Sequence, residues 1–170
     1  VWVTPETLHC FDTCRAVSLS AARFSSRGRI LDTFDAIIHP TDFQISQGSI
    51  DVHGITQERA ESEGRHFTEV FFEFMRFIGP RTTTMVAHNA IFDTSVLRSE
   101  MIRHQFDLSM IENLNFRCTL ELHKEKHLSP IKLGVLYKQL FGIELENAHN
   151  SLEDCIACGR VYPYLLGHER

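Results

Sequence analysis

Three aspartates and one histidine have residue types and positions suited to joint chemistry. Asp12 follows the apolar run Leu8-His9-Cys10-Phe11, which reads as a strand, and a charge at its end is costly to bury unless it is paired or holds a metal. Asp93 falls in a helical run, and at about 100° per residue it shares a side with Leu97 and Met101, the stripe that should face a core. Asp154 sits in the first turn of a last helix, with His149 five residues before it. Each has a plain structural explanation. Asp12 can start a turn, Asp93 can favour a helix dipole, and Asp154 can answer an N-cap Ser151 in a capping-box-like pair. His149 can be a solvated loop residue. Together, however, the acids occupy strand ends and first helical turns, where the elements of an α/β domain converge. Gathered carboxylates repel unless a cation neutralises them, and hard oxygen donors suit Mg²⁺ or Mn²⁺ in a two-ion phosphoryl-transfer site. An imidazole in the loop before the last helix would reach an attacking water as general base.

The elements that must position these groups follow from periodicity. Leu8 to Asp12, then Val17, Leu19 and Ala21, then Ile30 to His39 read as a three-stranded meander, with a turn at Ser25-Ser26-Arg27-Gly28. Pro40 opens a loop through Gly54. Phe67, Val70, Phe71, Phe74, Phe77 and Ile78 recur at helical spacing until Gly79-Pro80 stops them. A short β-branched run, Thr82 to Val86, feeds through His88-Asn89 into a helix carrying Phe92, Val96, Leu97 and Met101 on one face. Phe116 to Leu122 reads as a strand end merging into a helix, Leu133 to Phe141 as a helix closed by Gly142, and about Ser151 to Leu166 as the last helix. Strands first, then alternating strands and helices, predict a mixed α/β sheet with helices on its faces.

Composition bounds the class. At 170 residues with 43% hydrophobic and 23% charged side chains, the chain is expected to form one globular domain, residues 1–170. A net charge of −5 makes any nucleic-acid contact local. The longest apolar patch, Phe71 to Ile78, is broken by Glu73 and Arg76, which excludes a membrane partner of the spanning kind. The five cysteines are odd in number and read as reduced, intracellular thiols, Cys155 and Cys158 included, since their CxxC spacing has no second pair and lies in a helical pattern. The opening Val1-Trp2-Val3 reads as a fragment of a longer protein, which leaves the compartment and any protein partner open. Arg15, Arg23, Arg27 and Arg29, and Lys124, Lys126 and Lys132 around His127, read first as solvated charge and second as phosphate contacts.

Val86-Ala87-His88-Asn89-Ala90-Ile91-Phe92-Asp93 and His149-Asn150-Ser151-Leu152-Glu153-Asp154 resemble the second and third motifs of the DEDDh 3′→5′ exonucleases, a branch of the RNase H-like superfamily. Asp32-Thr33-Phe34 leading to His39-Pro40, Val52-His53-Gly54-Ile55-Thr56 and Cys118-Thr119-Leu120-Glu121-Leu122 resemble it in the same order along nearly the whole chain. The resemblance implies a mixed five-stranded sheet with helices on both faces. It also implies two Mg²⁺ or Mn²⁺ ions on Asp12, Asp93 and Asp154, and His149 as base. Thr13, Cys14, Arg15, His88, Asn89 and Phe92 would contact substrate, with Val17 a weak stand-in for the apolar wedge. The substrate would be single-stranded or 3′-ended DNA or RNA, released as nucleoside monophosphates. One departure stands out: the family's Asp-x-Glu is Asp12-Thr13-Cys14 here, and the Thr-Gly-Leu-like segment after it is absent. Glu6 lies roughly 20 Å upstream along an extended chain, too far to replace the lost acid simply. A thiolate would favour softer ions. The resemblance therefore implies either a metal-dependent 3′→5′ exonuclease or an impaired pseudo-exonuclease kept as a nucleic-acid-binding or protein-interaction module.

Overall fold

The structure, a computed structural model, describes residues 3–80, 84–146 and 150–167. It opens on a 3-10 helix, Leu8–Phe11, and a hairpin of β1 (Ser18–Phe24) and β2 (Ile30–Ile37). Helices α1 (Gln47–His53), α2 (Gln57–Glu63) and α3 (Phe67–Ile78) follow. Next come β3 (Met85–Ala87), α4 (Ala90–Arg103), α5 (Ser109–Glu112) and β4 (Phe116–Cys118). The chain ends in α6 (Thr119–His127), α7 (Leu133–Phe141) and α8 (Ser151–Leu165). No helix among the described residues is long and apolar enough to cross a membrane.

The hairpin turns where Gly28 takes φ 73° and Ser25 N–H bonds Arg29 O at 2.8 Å. β1 and β2 are antiparallel, Ser18 opposite Ile37. Side chains alternate between its faces. On one face, Leu19, Ala21, Phe34 and Ala36 join the core that α3 fills with Phe67, Val70, Phe71, Phe74 and Ile78. On the other, Ser20 bonds the Ser151 hydroxyl of α8, and Gly159 lies so close to the Phe24 ring that a Cβ there would collide with it. Helices thus cover both faces, as expected of the mixed α/β class. α8 packs on β1, β2 and β3, and buries Ala157, Val161 and Leu165 against Leu136 and Tyr137 of α7.

Three expectations need correction. The first strand of the meander is the 3-10 helix: Thr4 N–H donates to the Thr7 hydroxyl (2.9 Å), Thr7 N–H to Thr4 O (3.1 Å) and Cys10 N–H to Thr7 O (2.9 Å), which coils the segment. Asp12 therefore follows a turn of helix, exposed, rather than a strand. Among the described residues the strands form two pairs, antiparallel β1-β2 and parallel β3-β4, in place of one five-stranded sheet. The loop from Pro40 to Gly54 contains α1, whose Ser46 caps Ser49 N–H and whose chain leaves through Gly54 at φ 71°.

α4 also departs from its predicted stripe. Met101 is buried and Leu97 packs on the core, but Phe92 is 59% exposed, and the buried set includes Thr94, Arg98, Ser99 and Glu100. Glu100, 2% exposed, accepts from Arg15 Nε (2.9 Å), Ala16 N–H (3.0 Å) and Arg103 Nη1 (3.4 Å). Buried charge is tolerated where such partners meet it.

Candidate active site

Asp93 is positioned by the sharp turn from β3 into α4. Asn89 takes a left-handed conformation (φ 66°, ψ 49°), which asparagine tolerates better than most residues, and its C=O receives Phe92 N–H at 2.8 Å. Asp93 then stands in the first turn of α4 beside exposed Ile91 and Phe92. It opens onto a cavity of about 800 Å³ whose walls include Asp12, Leu19, Met85, Phe92 and Ser151.

Asp154 is positioned by the start of α8. The cap is Asn150 rather than Ser151: its Oδ1 accepts from the N–H groups of Leu152 (3.1 Å) and Glu153 (3.2 Å). Ser151 instead ties the helix to β1 through Ser20, whose hydroxyl also meets Asp35 at 2.5 Å. The structure brings Asp93 and Asp154 into each other's field. The Asp93 carboxyl opens onto the cavity, but protein around its other sides strips its solvation and pushes its pKa up to about 6, and the Asp154 charge adds to the rise. A carboxyl whose ionisation is made costlier by burial and by a second carboxylate is one that a hard cation relieves.

The other predicted residues divide into those near this pair and those committed elsewhere. Asp12 lines the same cavity but is exposed, and its charge bears on Arg103. Among the described residues, no three His, Cys, Asp or Glu side chains are close enough together to hold a metal ion. Thr13 and Cys14 also line the cavity, with Cys14 O taken by Arg103 Nη1 at 2.8 Å. Arg15 is an internal brace: its guanidinium bonds Glu100 and Asp42 (2.6 Å) and lies 4.0 Å over the Phe43 ring, which leaves it no free face for a phosphate. His88 is also satisfied internally, Nε2–H donating to Ile131 O and Nδ1 accepting from the Thr119 hydroxyl, both at 2.9 Å. Burial lowers its pKa, so the ring is held neutral as a pin between β3, α6 and the approach to α7. Asn89 and Phe92 remain open to solvent, Phe92 on the cavity wall. His149 lies outside the described residues.

Burial pushes the thiols of Cys155 and Cys158 up to about 12. Cys155 donates to Ser20 O (3.3 Å), and Cys118 Sγ accepts from Ala90 N–H (3.4 Å). Sequence reasoning missed Glu100, Ser20 and Thr119, whose partners lie 85, 131 and 31 residues away. It also missed His53, on the cavity wall, where Nδ1 accepts Ile55 N–H (3.0 Å) and buried Nε2 has no hydrogen-bond partner.

Known proteins share this arrangement of elements. The nuclease domain of 3′hExo, a DEDDh family member solved with rAMP, superposes with a TM-score of 0.75 over 90% of this chain and 81% of that one, at 16% identity. E. coli ExoI in a complex with single-stranded DNA superposes at 0.76 over 91% of this chain and 38% of that one, at 19% identity. In sequence, the PolC-type DNA polymerase III of Streptococcus mutans is 31% identical over 144 residues, 83% of this chain and 9% of that protein. The counterpart from Streptococcus agalactiae is 31% identical over 153 residues, 88% of this chain and 10% of its own length. The chain thus spans about a tenth of the length of these curated relatives. The family model described as Exonuclease matches residues 12–162, from Asp12 past Asp154, and the chain belongs to that exonuclease family.

Proposed function

We propose that this chain is a 3′→5′ exonuclease domain that hydrolyses the terminal phosphodiester of single-stranded or 3′-ended DNA or RNA and releases nucleoside monophosphates. The observation that carries the reading is Asp93 on the cavity wall, raised to about 6 by burial and by the Asp154 charge, beside the exposed face of Phe92. Asp93 and Asp154 would hold a divalent cation, Mg²⁺ or Mn²⁺, with Asp12 as the third carboxylate of a two-ion site. The bound ions would supply charge neutralisation for the attacking and leaving oxygens. Phe92 offers a ring for a terminal base to stack on, worth roughly 1–3 kcal/mol per base in single-strand binding. Asn89 fixes the turn that aims Asp93. His149, one residue before the Asn150 cap, would take the proton of the attacking water, a contribution of roughly 10²–10⁴-fold. Structural relatives solved with a dT13 oligonucleotide and with 5′-overhanging duplex DNA support a nucleic-acid substrate.

The test is a 5′-end-labelled single strand, DNA and RNA in parallel, with Mg²⁺, Mn²⁺ or EDTA. Stepwise shortening from the 3′ end that EDTA abolishes is expected. His149→Ala should lose rate while keeping metal and substrate binding, and Asp154→Asn should lose both. A wild type inert with every metal, yet retaining the labelled strand in a binding assay, would instead identify a catalytically silent nucleic-acid-binding module. The exposed placement of Asp12, facing Arg103, and the cysteine two residues after it favour that second reading.

A further inference from the structure

Of the five prolines, two follow a serine or threonine, in Thr4-Pro5 and Ser129-Pro130, and only the second pair has a lysine three residues after the hydroxyl, Lys132. The fold presents the two differently. Thr4 is half-buried, and its hydroxyl meets both the hydroxyl and the N–H of Thr7 at 3.3 Å. Ser129 lies in a run, residues 125–130, that is exposed throughout, and residues 128–132 belong to neither helix nor strand. Leu128 is left-handed (φ 57°) and 94% exposed, so it closes α6 without joining the core. Pro130 has no N–H and biases the residue before it toward extended backbone, the form in which a kinase cleft takes its substrate.

The charge around Ser129 suits a phosphate. From 124 to 132 three lysines stand against one acid, Glu125. Lys124 pairs with Glu121 at 2.7 Å and Lys126 bonds Leu165 O, while exposed Lys132 leads into α7, whose first turn contains no acid. A phosphoserine brings about −1.5 to −2 charge to this surface of opposite sign. Two carbonyls of the segment are also held by histidines. His123 Nδ1–H donates to Ser129 O at 3.1 Å, and His88 Nε2–H to Ile131 O at 2.9 Å. His88 joins β3 to Asn89, so a phosphate that draws residues 129–132 toward Lys132 pulls on the residue before the turn into α4.

We propose that Ser129 is a phosphorylation site for a proline-directed protein kinase that selects a base three residues on, and that the modification is read at the turn into α4. In the transfer, Ser129 Oγ forms a bond to the γ-phosphorus of ATP held by the kinase. The bond from that phosphorus to the oxygen bridging the β-phosphate breaks, and ADP leaves with the electron pair. The hydroxyl proton passes to the kinase's catalytic aspartate. The site does not depend on the nuclease reading, and neither measurement below involves strand shortening.

The first measurement incubates the whole chain with a cyclin-dependent protein kinase, Mg²⁺ and ATP, and maps the phosphate by peptide mass spectrometry. Incorporation is expected at Ser129, lost in Ser129→Ala and in Pro130→Ala, and unchanged in Thr4→Ala. Lys132→Ala should slow it roughly fivefold, about what one exposed ion pair contributes. A chain that takes no phosphate, or takes it at Thr4 in preference, overturns the site. Incorporation at Ser129 at the same rate in Lys132→Ala overturns the selection by the base. The second measurement compares amide NMR spectra of the phosphorylated and unmodified chains. Shifts are expected at His88, Asn89 and Ala90 as well as at residues 124–136. Shifts confined to residues 124–136 overturn the reading at the turn.

Discussion

α3 and α4 both lie against the hairpin's core, yet they bury opposite kinds of surface. α3 contributes Phe67, Val70, Phe71, Phe74 and Ile78, a stripe held by apolar area alone on its inner side. α4 buries Thr94, Arg98, Ser99 and Glu100 beside Met101; the Thr94 and Ser99 hydroxyls bond back within the helix, while its charged groups reach chain segments far away in sequence: Arg98 Nε on Val3 O (3.1 Å), Arg103 Nη2 on Phe11 O (2.6 Å), Glu100 on Arg15 and Ala16. One helix builds the core. The other ties Val3, Phe11, Cys14, Arg15 and Ala16 in place and carries Asp93 at its start. The difference teaches that a polar helix interior can mark a helix whose work is positioning.

Paired substitutions can break that comparison. Phe71→Ala should lower global stability by about 3–5 kcal/mol, read as a denaturant midpoint shift with loosened amide protection throughout the core. Glu100→Leu should cost a similar amount, about 3–5 kcal/mol, because it leaves Arg15 and Arg103 buried without their shared acceptor. Its signature is local: faster amide exchange over residues 10–16 before the core responds. Equal loosening everywhere in both variants would show that α4 is only another wall of the core.

A pH series sharpens the same contrast at the helix start. The Asp93 carboxyl is raised from its ordinary 3.8 to about 6, by desolvation first and by Asp154 second. The folded state therefore holds a proton that the unfolded state releases, and this contribution is fully present below about 3.8 and is lost as pH rises through about 6. Asp93→Asn in EDTA should have a higher Tm than wild type at pH 7 and a smaller difference at pH 4. An unchanged difference across that window would remove the coupling of Asp93 to its surroundings. The smallest effect is expected at the turn itself. Asn89→Ala should cost about 1 kcal/mol through its left-handed backbone, and Asn89→Gly should not, as thermal unfolding of the two would show.

How much was legible depends on how far each signal reaches. The aromatic stripe of α3, the Gly142 stop after α7, the span of α8 and the placement of Asp93 and Asp154 in first turns could all be read from residues within a turn or two of one another. At α8 the cap is Asn150, one residue before the Ser151 that the capping-box spacing to Asp154 suggests, since both residue types can cap. α1 has its own local signature, Ser46 before and Gly54 after, which the loop signal of Pro40 masks.

The sequence by itself determined that Asp93 and Asp154 stand in the first turns of two helices, because periodicity and capping act through hydrogen bonds spanning three or four residues. Only the tertiary structure decided the fate of Leu8–Phe11, of Arg15 and of His88. Leu8-His9-Cys10-Phe11 suits a strand or a coil equally, and what selects its 3-10 turn includes Arg103, 92 residues on, whose guanidinium captures Phe11 O. Arg15 has the chemistry of a phosphate contact, and Glu100, 85 residues away, turns it inward instead. His88 has the chemistry of a ligand, and Thr119 and Ile131 occupy both its nitrogens. A long polar side chain reaches whatever partner the fold brings within about 3 Å, and that partner has no fixed distance along the chain.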